Sequence, residues 1–145
     1  MKPHVHISSK DPQRLKHAHA VREAVFHKEQ GISKELDFDS EDENAVHFTA
    51  YLDEQPIGTA RIRFPSPGQA KLERFAVLSH MRGKKIGELI LKEIETYLLA
   101  QNITEIVLNS QLSAKGFYER FGYVISGDIF EEASIPHVKM TKKLK

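Results

Sequence analysis

Cysteine is absent from the 145 residues of this sequence. The chain therefore forms no disulfide, offers no thiolate to a metal and cannot carry an acyl group on a cysteine intermediate. The absence also fits a reducing compartment, so we expect a cytoplasmic protein.

An excess of charge of either sign is missing too. The 21 Lys and Arg residues nearly balance the 20 Asp and Glu residues, and the formal net charge is +1. Such a chain has no broad basic surface for nucleic acid or an anionic membrane, and we expect neither as a partner. Electrostatic recognition must therefore be local.

Long apolar runs are also missing. No segment approaches the roughly 18 apolar residues that a membrane-spanning helix needs, and the first ten residues lack the apolar region of a signal peptide. We therefore expect a soluble protein. Because the composition shows no break, residues 1–145 are predicted to form one domain around one core.

Apolar and polar residues alternate along several segments, a pattern typical of strands. The alternation predicts a meander of three strands over residues 45–52, 57–64 and 71–78. Further strands are predicted over residues 5–8, 104–109, 123–130 and 137–144.

Two longer helices are predicted between the strands. Asp11 followed by Pro12 is typical of a helix start and Gly31 of a helix end, so the first helix is predicted between them. The apolar residues from Ile86 to Leu98 fall on one helical face, which predicts a second helix packed on the sheet.

A third helix is predicted over residues 113–122, with Ser113 as its N-terminal cap. Strand 71–78, the second helix and strand 104–109 follow one another, an order typical of a right-handed crossover between parallel strands. The predicted fold class is mixed α/β (α+β): a mostly antiparallel sheet with a central parallel pair, flanked by helices.

The hexapeptide RGKKIG joins strand 71–78 to the second helix, whose first N–H groups and positive dipole end favour an anion. Its glycines let backbone approach a ligand, and its basic residues add donors. The loop therefore predicts a phosphate site, the alternative being an ordinary basic turn. The patterns GxxxxGK[ST] and GxGxxG are absent, which excludes the two common nucleotide loops. The loop residues are Arg82, Gly83, Lys84, Lys85, Ile86 and Gly87.

The segment VLSHMRGKKIGELIL resembles the acyl-CoA pyrophosphate loop of the GNAT superfamily of N-acetyltransferases, whose pattern is [Q/R]xxGx[G/A]. Arg82 and Gly87 fit it, and Lys85 stands where the family usually has its first glycine. The segment NSQLSAKGFYERFGY is similar to the second family signature, NxxAxxxYxxxGF, with Gln111 at the Asn position. The segments VREAVFHKEQGISKELDFDSED and IPHVKM are similar to the ElaA/YjcF-like bacterial branch.

This resemblance implies the GNAT fold, acetyl-CoA as the donor substrate and no metal. It also implies that acetyl-CoA lies between strands 71–78 and 104–109, and that an amine attacks the thioester directly in a ternary complex. Besides the loop, the implied cofactor-binding residues are Phe75, Ala76, Val77, Gln111, Ala114, Phe117 and Tyr118.

The resemblance further implies that Tyr118 protonates the departing sulfur. The reference pKa of tyrosine, about 10, exceeds that of a thiol, about 8.5, so a hydrogen bond to the developing negative charge is the safer role. The alternative is a core aromatic, because Phe117, Tyr118 and Phe121 follow helical spacing.

Glu73 is the first candidate for the base that accepts the amine proton. It lies on the predicted strand that leads to the loop, and alternation places it on the same face as Lys71, Phe75 and Val77. The alternative is a partner for an Arg or Lys. His137 is a second candidate, and water is a third.

The acceptor site is predicted around Phe26, Glu29, Gln30 and His137. The acidic stretch of residues 35–43 offers attraction for a cationic amine, although a solvated loop is its ordinary interpretation. Polyamines, amino sugars, peptide N-termini and protein lysines all satisfy this chemistry, and the protein is expected as a monomer or homodimer.

Two other functions fit part of the pattern. Acyl-homoserine-lactone synthases share a related fold and a comparable Arg, Phe, Glu and Asp pattern, but are typically longer. A non-catalytic acyl-CoA-binding or partner-binding module would keep the loop without the chemistry. A metal site is not expected at His17 and His19, because residues two apart on a helix do not face each other. None is expected at His4 and His6 on the first strand either, because that pair lacks carboxylate companions.

Overall fold

The computed structural model describes residues 2–144, and its central element is a mixed sheet. The strands are β1 (His4–Ser8), β2 (Val46–Leu52), β3 (Gln55–Ser66), β4 (Gln69–Val77), β5 (Glu105–Gln111), β6 (Val124–Ile125), β7 (Phe130–Glu132) and β8 (Ile135–Lys143). The α-helices are α1 (Pro12–Arg22), α2 (Lys34–Asp37), α3 (Ile86–Ala100) and α4 (Lys115–Arg120).

Shorter helical turns complete the chain. A π-helical segment, Glu23–Glu29, extends α1. Short 3-10 turns lie at Ser40–Asn44, Ser79–Met81 and Leu112–Ala114.

The strand order is β1-β2-β3-β4-β5-β8-β6, and β7 pairs with β8. Every pairing is antiparallel except that of β4 with β5, which α3 connects. The predicted fold class, with its single parallel pair in a mostly antiparallel sheet, is therefore confirmed.

Helices cover both faces of the sheet. Phe48 of β2 packs edge-on against Tyr97 of α3, whereas Tyr51 of the same strand hydrogen-bonds His17 of α1. Strand β2 is consequently buried along almost its whole length, and its polar residues do not face solvent as a half-exposed strand would.

Two predicted elements differ from the structure. The strand predicted over residues 123–130 is split, because Ser126 makes a last backbone bond to Lys139 and Gly127 then turns the chain with a φ of +131°. Ser113 does not cap α4: it lies in a 3-10 turn, and the helix begins at Lys115 without a side-chain cap.

The solvated interpretation of the acidic stretch is wrong for two of its residues. Asp37 and Asp42 are only 2% and 5% exposed. They pair with Arg22 of α1, which donates to both carboxylates, and Asp42 also accepts from Arg61 of β3. Burial of these charges is possible because each has a hydrogen-bonded partner of opposite sign.

None of the helices within residues 2–144 has the length and apolar character needed to cross a lipid bilayer.

Candidate functional site

The parallel pair of β4 and β5 separates towards its carboxyl end. Pairing runs from Gln69 with Glu105 to Leu72 with Leu108 and stops there, although β4 continues to Val77 and β5 to Gln111. A cavity of about 1020 Å³ lies in this opening.

The cavity collects the predicted site residues. The cavity also reaches both faces of the sheet. On the α3 face it is bordered by α4, and on the α1 face it is bordered by the end of the π-helical segment. With the exception of Lys84, all of the predicted site residues line it: Phe26, Glu29, Gln30, Glu73, Phe75, Ala76, Val77, Arg82, Gly83, Lys85, Ile86, Gly87, Gln111, Ala114, Phe117, Tyr118 and His137.

The loop before α3 has the backbone that an anion site needs. Gly83 and Lys85 have φ values of +78° and +66°, and no side chain caps the N-terminus of α3. The first N–H groups of the helix therefore remain available to a ligand. Lys85 adopts the left-handed conformation that glycine occupies most easily, so the substitution relative to the family pattern keeps a glycine-like turn.

Gly87 has a packing role beside the loop. A Cβ atom built there would lie 3.1 Å from Cζ of Phe117 and 3.5 Å from Cε1 of Phe75. A side chain at this position would therefore displace Phe117 before it met a phosphate, which makes Gly87 a poor place to test anion binding.

Arg82 is engaged by two partners in this structure. Its guanidinium makes a bidentate pair with Glu29, with distances of 2.6 and 2.8 Å, and its Nε donates to the carbonyl of Val77. The hydrogen bond from Arg82 lowers the pKa of Glu29. Glu29 and Arg82, predicted for the acceptor and the donor respectively, thus meet at the mouth of the cavity.

Tyr118 lies against the cavity from α4. Its ring packs against Phe75, Phe117 and Tyr123, and burial raises its pKa above the usual range. Its hydroxyl makes no side-chain hydrogen bond to any residue from 2 to 144. The hydroxyl therefore remains protonated and is able to donate to a bound group.

Glu73 is held by two arginines. Its carboxylate accepts four hydrogen bonds from Arg61 and Arg63, at 2.6 to 3.2 Å. Burial alone would raise the pKa of Glu73, but the hydrogen bonds from Arg63 and Arg61 outweigh it and hold the pKa at about 2. A carboxylate of this pKa is a weak base, so the contacts favour the ion-pair alternative over the catalytic role.

The polar cluster beside Glu73 was missed by sequence reasoning. Arg22, Asp37, Asp42 and Arg61 are buried and connected by hydrogen bonds, and Asp37 lines the cavity. The sequence did contain one indication of this cluster. Arg61 stands between apolar residues of a strand, where a charged side chain needs a buried partner.

Gln30 and Gln111 meet on the α1 side of the opening. The amide nitrogen of Gln111 donates to Gln30 over 2.9 Å, and that of Gln30 lies 3.4 Å from the Gln111 oxygen. His137 sits opposite Gln111 in the β5–β8 ladder. The predicted acceptor residues thus come from two elements, the π-helical segment with its C-terminal residue Gln30 and strand β8.

Within residues 2–144 the structure has no cluster of three or more His, Cys, Asp or Glu side chains arranged to hold a metal ion.

Comparison with known proteins gives the family. Residues 10–144 match the acetyltransferase (GNAT) domain model. The chain is 36% identical to the N-acetyltransferase YjcF of Bacillus subtilis over 137 residues, which cover 94% of this chain and 97% of YjcF.

Two crystal structures have the same fold. A protein of Lactobacillus plantarum described as an N-acetyltransferase is 27% identical with a TM-score of 0.92, and all of both chains is covered. ElaA of Escherichia coli is 23% identical with a TM-score of 0.84, covering 97% of this chain and 99% of ElaA. The chain therefore belongs to the GNAT acetyltransferase family, in the ElaA/YjcF-like branch.

Proposed function

We propose that the protein transfers an acetyl group from acetyl-CoA to a primary amine by direct attack within a ternary complex. The observation that carries this proposal is the separation of β4 from β5, with the N-terminus of α3 at the mouth of the cavity. The free edge of β4 and the N-terminus of α3 are then both available to one bound acetyl-CoA.

The donor fits the α3 side of the cavity. Leu78 bonds Ile57 through its backbone, and the alternation of an antiparallel ladder turns the backbone groups of the preceding residue, Val77, towards the opening. By the same alternation Phe75 also faces the opening, whereas Ala76 faces β3. The backbone of Phe75 and the N–H of Val77 are thus offered to a pantetheine arm, and the carbonyl of Val77 accepts from Arg82. Beyond the arm, Lys85 and the first N–H groups of α3 are suited to the pyrophosphate.

The two sides of the opening between β4 and β5 are suited to the two substrates. An amine that enters from the α1 side meets a thioester held between the strands, and Tyr118 is placed to hydrogen-bond the departing sulfur. Direct attack needs no enzyme nucleophile, in agreement with the absence of cysteine. We place this reaction in the cytoplasm, with the chain acting as one domain in a monomer or homodimer.

The first experiment is calorimetric titration of acetyl-CoA into the wild-type protein, Lys85→Glu and Lys84→Glu. The two variants carry the same charge change at neighbouring positions, but only Lys85 lines the cavity. We expect wild-type binding in the micromolar range, about −8 kcal/mol, and a larger loss in Lys85→Glu than in Lys84→Glu. No wild-type binding at millimolar acetyl-CoA would contradict the proposal.

The second experiment measures thiol release from acetyl-CoA with spermidine, glucosamine and a lysine-containing peptide as probes. Release that depends on one of these amines supports the proposed transfer. Binding of acetyl-CoA without amine-dependent release from any of them would instead identify a binding module.

A further inference from the structure

We propose that His137 accepts the proton of the attacking amine. The assignment rests on the proposed acetyl transfer and adds the catalytic residue that this reaction needs. It follows from the way in which the imidazole ring is fixed and from the pairing of three of the cavity's carboxylates with cations.

The ring of His137 is held in one tautomer. Its Nδ1 lies 2.7 Å from the backbone oxygen of Ile135, and a carbonyl oxygen only accepts hydrogen bonds, so Nδ1 carries the proton. In the neutral ring Nε2 then has the lone pair. The ring is also stacked on Phe130, with centroids 6.0 Å apart, which restrains its rotation.

His137 borders the cavity. It is only 6% exposed, and its Nε2 makes no hydrogen bond within residues 2–144. A carboxylate oxygen of Glu132 lies 3.8 Å away, beyond hydrogen-bond distance.

Three of the five carboxylates that line the cavity are engaged by cations; Glu88 of α3 and Glu132 of β7 are the other two. Glu73 accepts from Arg61 and Arg63, and Glu29 is bound by Arg82. Asp37 accepts from Arg22 and lies 2.9 Å from Nε of Arg74. Of the histidines in the described residues, His137 alone lines the cavity.

A carboxylate lies near the ring of His137. Glu132 of β7 is a charged group beside it, while β5 places the uncharged Gln111 opposite His137, and Gln111 donates to Gln30. After proton transfer the new Nε2–H points towards an anion. The side chain of Glu132 is half exposed, which gives the proton a path to solvent.

A protonated primary amine loses one proton to Nε2 of His137, and its nitrogen then attacks the thioester carbon. The C–N bond forms, the C–S bond breaks, and the sulfur takes the second proton that nitrogen gives up. His137 returns its proton to water, so the products are the acetylamide, the free thiol and one proton.

The test uses His137→Asn, because an asparagine amide N–H is able to keep the hydrogen bond to Ile135 without supplying a base. We expect kcat/KM for the fastest of the three probe amines to fall about 100-fold near neutral pH. The decline of the wild-type rate at low pH should disappear, and acetyl-CoA affinity should stay within twofold. His6→Asn, on the edge strand β1, is the matched control and should keep both the rate and its pH dependence.

A nitrogen NMR spectrum of the wild-type imidazoles tests the geometry without any acceptor. A proton on Nδ1 and none on Nε2 at neutral pH supports the assignment, and the opposite tautomer would overturn it. An unchanged pH profile in His137→Asn, with acetyl transfer intact, would overturn the role of His137 alone. Absence of transfer by the wild-type protein would remove the proposed function and this inference together.

Discussion

Tyr118 and Tyr123 are both buried, yet the fold gives their hydroxyl groups different surroundings. Tyr123 donates to Glu95 of α3 over 2.9 Å and lies outside the cavity lining, whereas Tyr118 lines the cavity. Residue type alone does not separate them. Only the position of each ring relative to the opening between β4 and β5 does so.

Replacement of Tyr118 by Phe should lower kcat about 100-fold, because the departing sulfur loses its hydrogen-bond donor. Acetyl-CoA affinity should change little. Tyr123→Phe is the matched control and should lose stability but keep kcat. For both variants, steady-state kinetics measures kcat, and calorimetry measures acetyl-CoA affinity and stability. Equal kcat in wild type and Tyr118→Phe would remove Tyr118 from the mechanism.

Glu29 competes with any phosphate for Arg82, since it occupies both outer nitrogens of the guanidinium. Glu29→Gln should therefore tighten acetyl-CoA binding about two- to fivefold, the range expected for release of an exposed ion pair. Glu23→Gln alters a pair with Lys34 outside the cavity lining and should have no effect. Weaker binding by Glu29→Gln, measured by calorimetry, would show that the pair supports the donor site.

At the scale of elements, the position of the loop depends on how closely α3 packs on β3. A Cβ atom added at Gly58 would lie 2.8 Å from Cδ1 of Ile90, 3.2 Å from Cγ2 of Ile86 and 3.3 Å from the carbonyl oxygen of Ala76. The helix whose N-terminus forms the proposed anion site thus rests directly on the strand backbone. The absence of a side chain at Gly58 allows this approach.

Gly58→Ala should push α3 away from β3 and lower the free energy of unfolding by about 1 kcal/mol. Acetyl-CoA affinity should fall with it, because the loop moves with the helix. The matched control combines Gly58→Ala with Ile90→Val. The valine lacks the Cδ1 atom that a Cβ at position 58 would meet, so Gly58→Ala should lower the free energy of unfolding by less in this background. Urea unfolding of the four proteins of this cycle measures the coupling, and strict additivity would contradict the packing argument.

At the scale of the whole molecule, a buried ionic cluster connects the elements of the α1 side. Arg22 of α1, Asp37 of α2, Asp42 and the strand residues Arg61 and Glu73 are linked through successive hydrogen bonds. Burial would raise the pKa of Asp42, but the hydrogen bonds from His19 and Arg22 outweigh it and lower the pKa. Folding therefore stabilises the ionised carboxylates.

Stability should consequently fall in acid. The pKa of Glu73 is about 2 in the fold, against 4.5 for a free glutamate, so its contribution is present above pH 4.5 and is lost as the pH falls towards 2. Glu73 alone should account for about 2 kcal/mol between pH 7 and pH 3. Urea unfolding at pH 7, 5 and 3 measures this loss, and equal stability at all three would contradict the ionic role of Glu73.

Glu73→Gln is the companion variant. It leaves Arg61 and Arg63 without this carboxylate and should lower the free energy of unfolding at pH 7 by about 3 kcal/mol. The remaining stability should depend less on pH than that of the wild type. A variant as stable as the wild type at pH 7 would mean that the four hydrogen bonds to Glu73 contribute nothing net.

Much of the architecture was predictable because it depends on neighbours along the chain. The alternation in residues 45–52, the face from Ile86 to Leu98 and the loop before α3 all appear where periodicity and turn chemistry place them. The break at Gly127 and the 3-10 turn at Ser113 were not predictable. Both depend on where β8 and β5 direct the chain.

The sequence by itself determined the order of the elements, the parallel pair and the place of the basic loop, since hydrophobic periodicity and glycine positions act over a few residues. Only the tertiary structure decided which charged and titratable side chains are paired with other residues and which remain available to a ligand. It paired Arg82 with Glu29, 53 positions away, surrounded Glu73 with arginines and placed His137 at the cavity with Nδ1 bonded to Ile135. The physical reason is that a side chain's chemistry depends on the partners that burial brings to it, and those partners come from distant strands and helices.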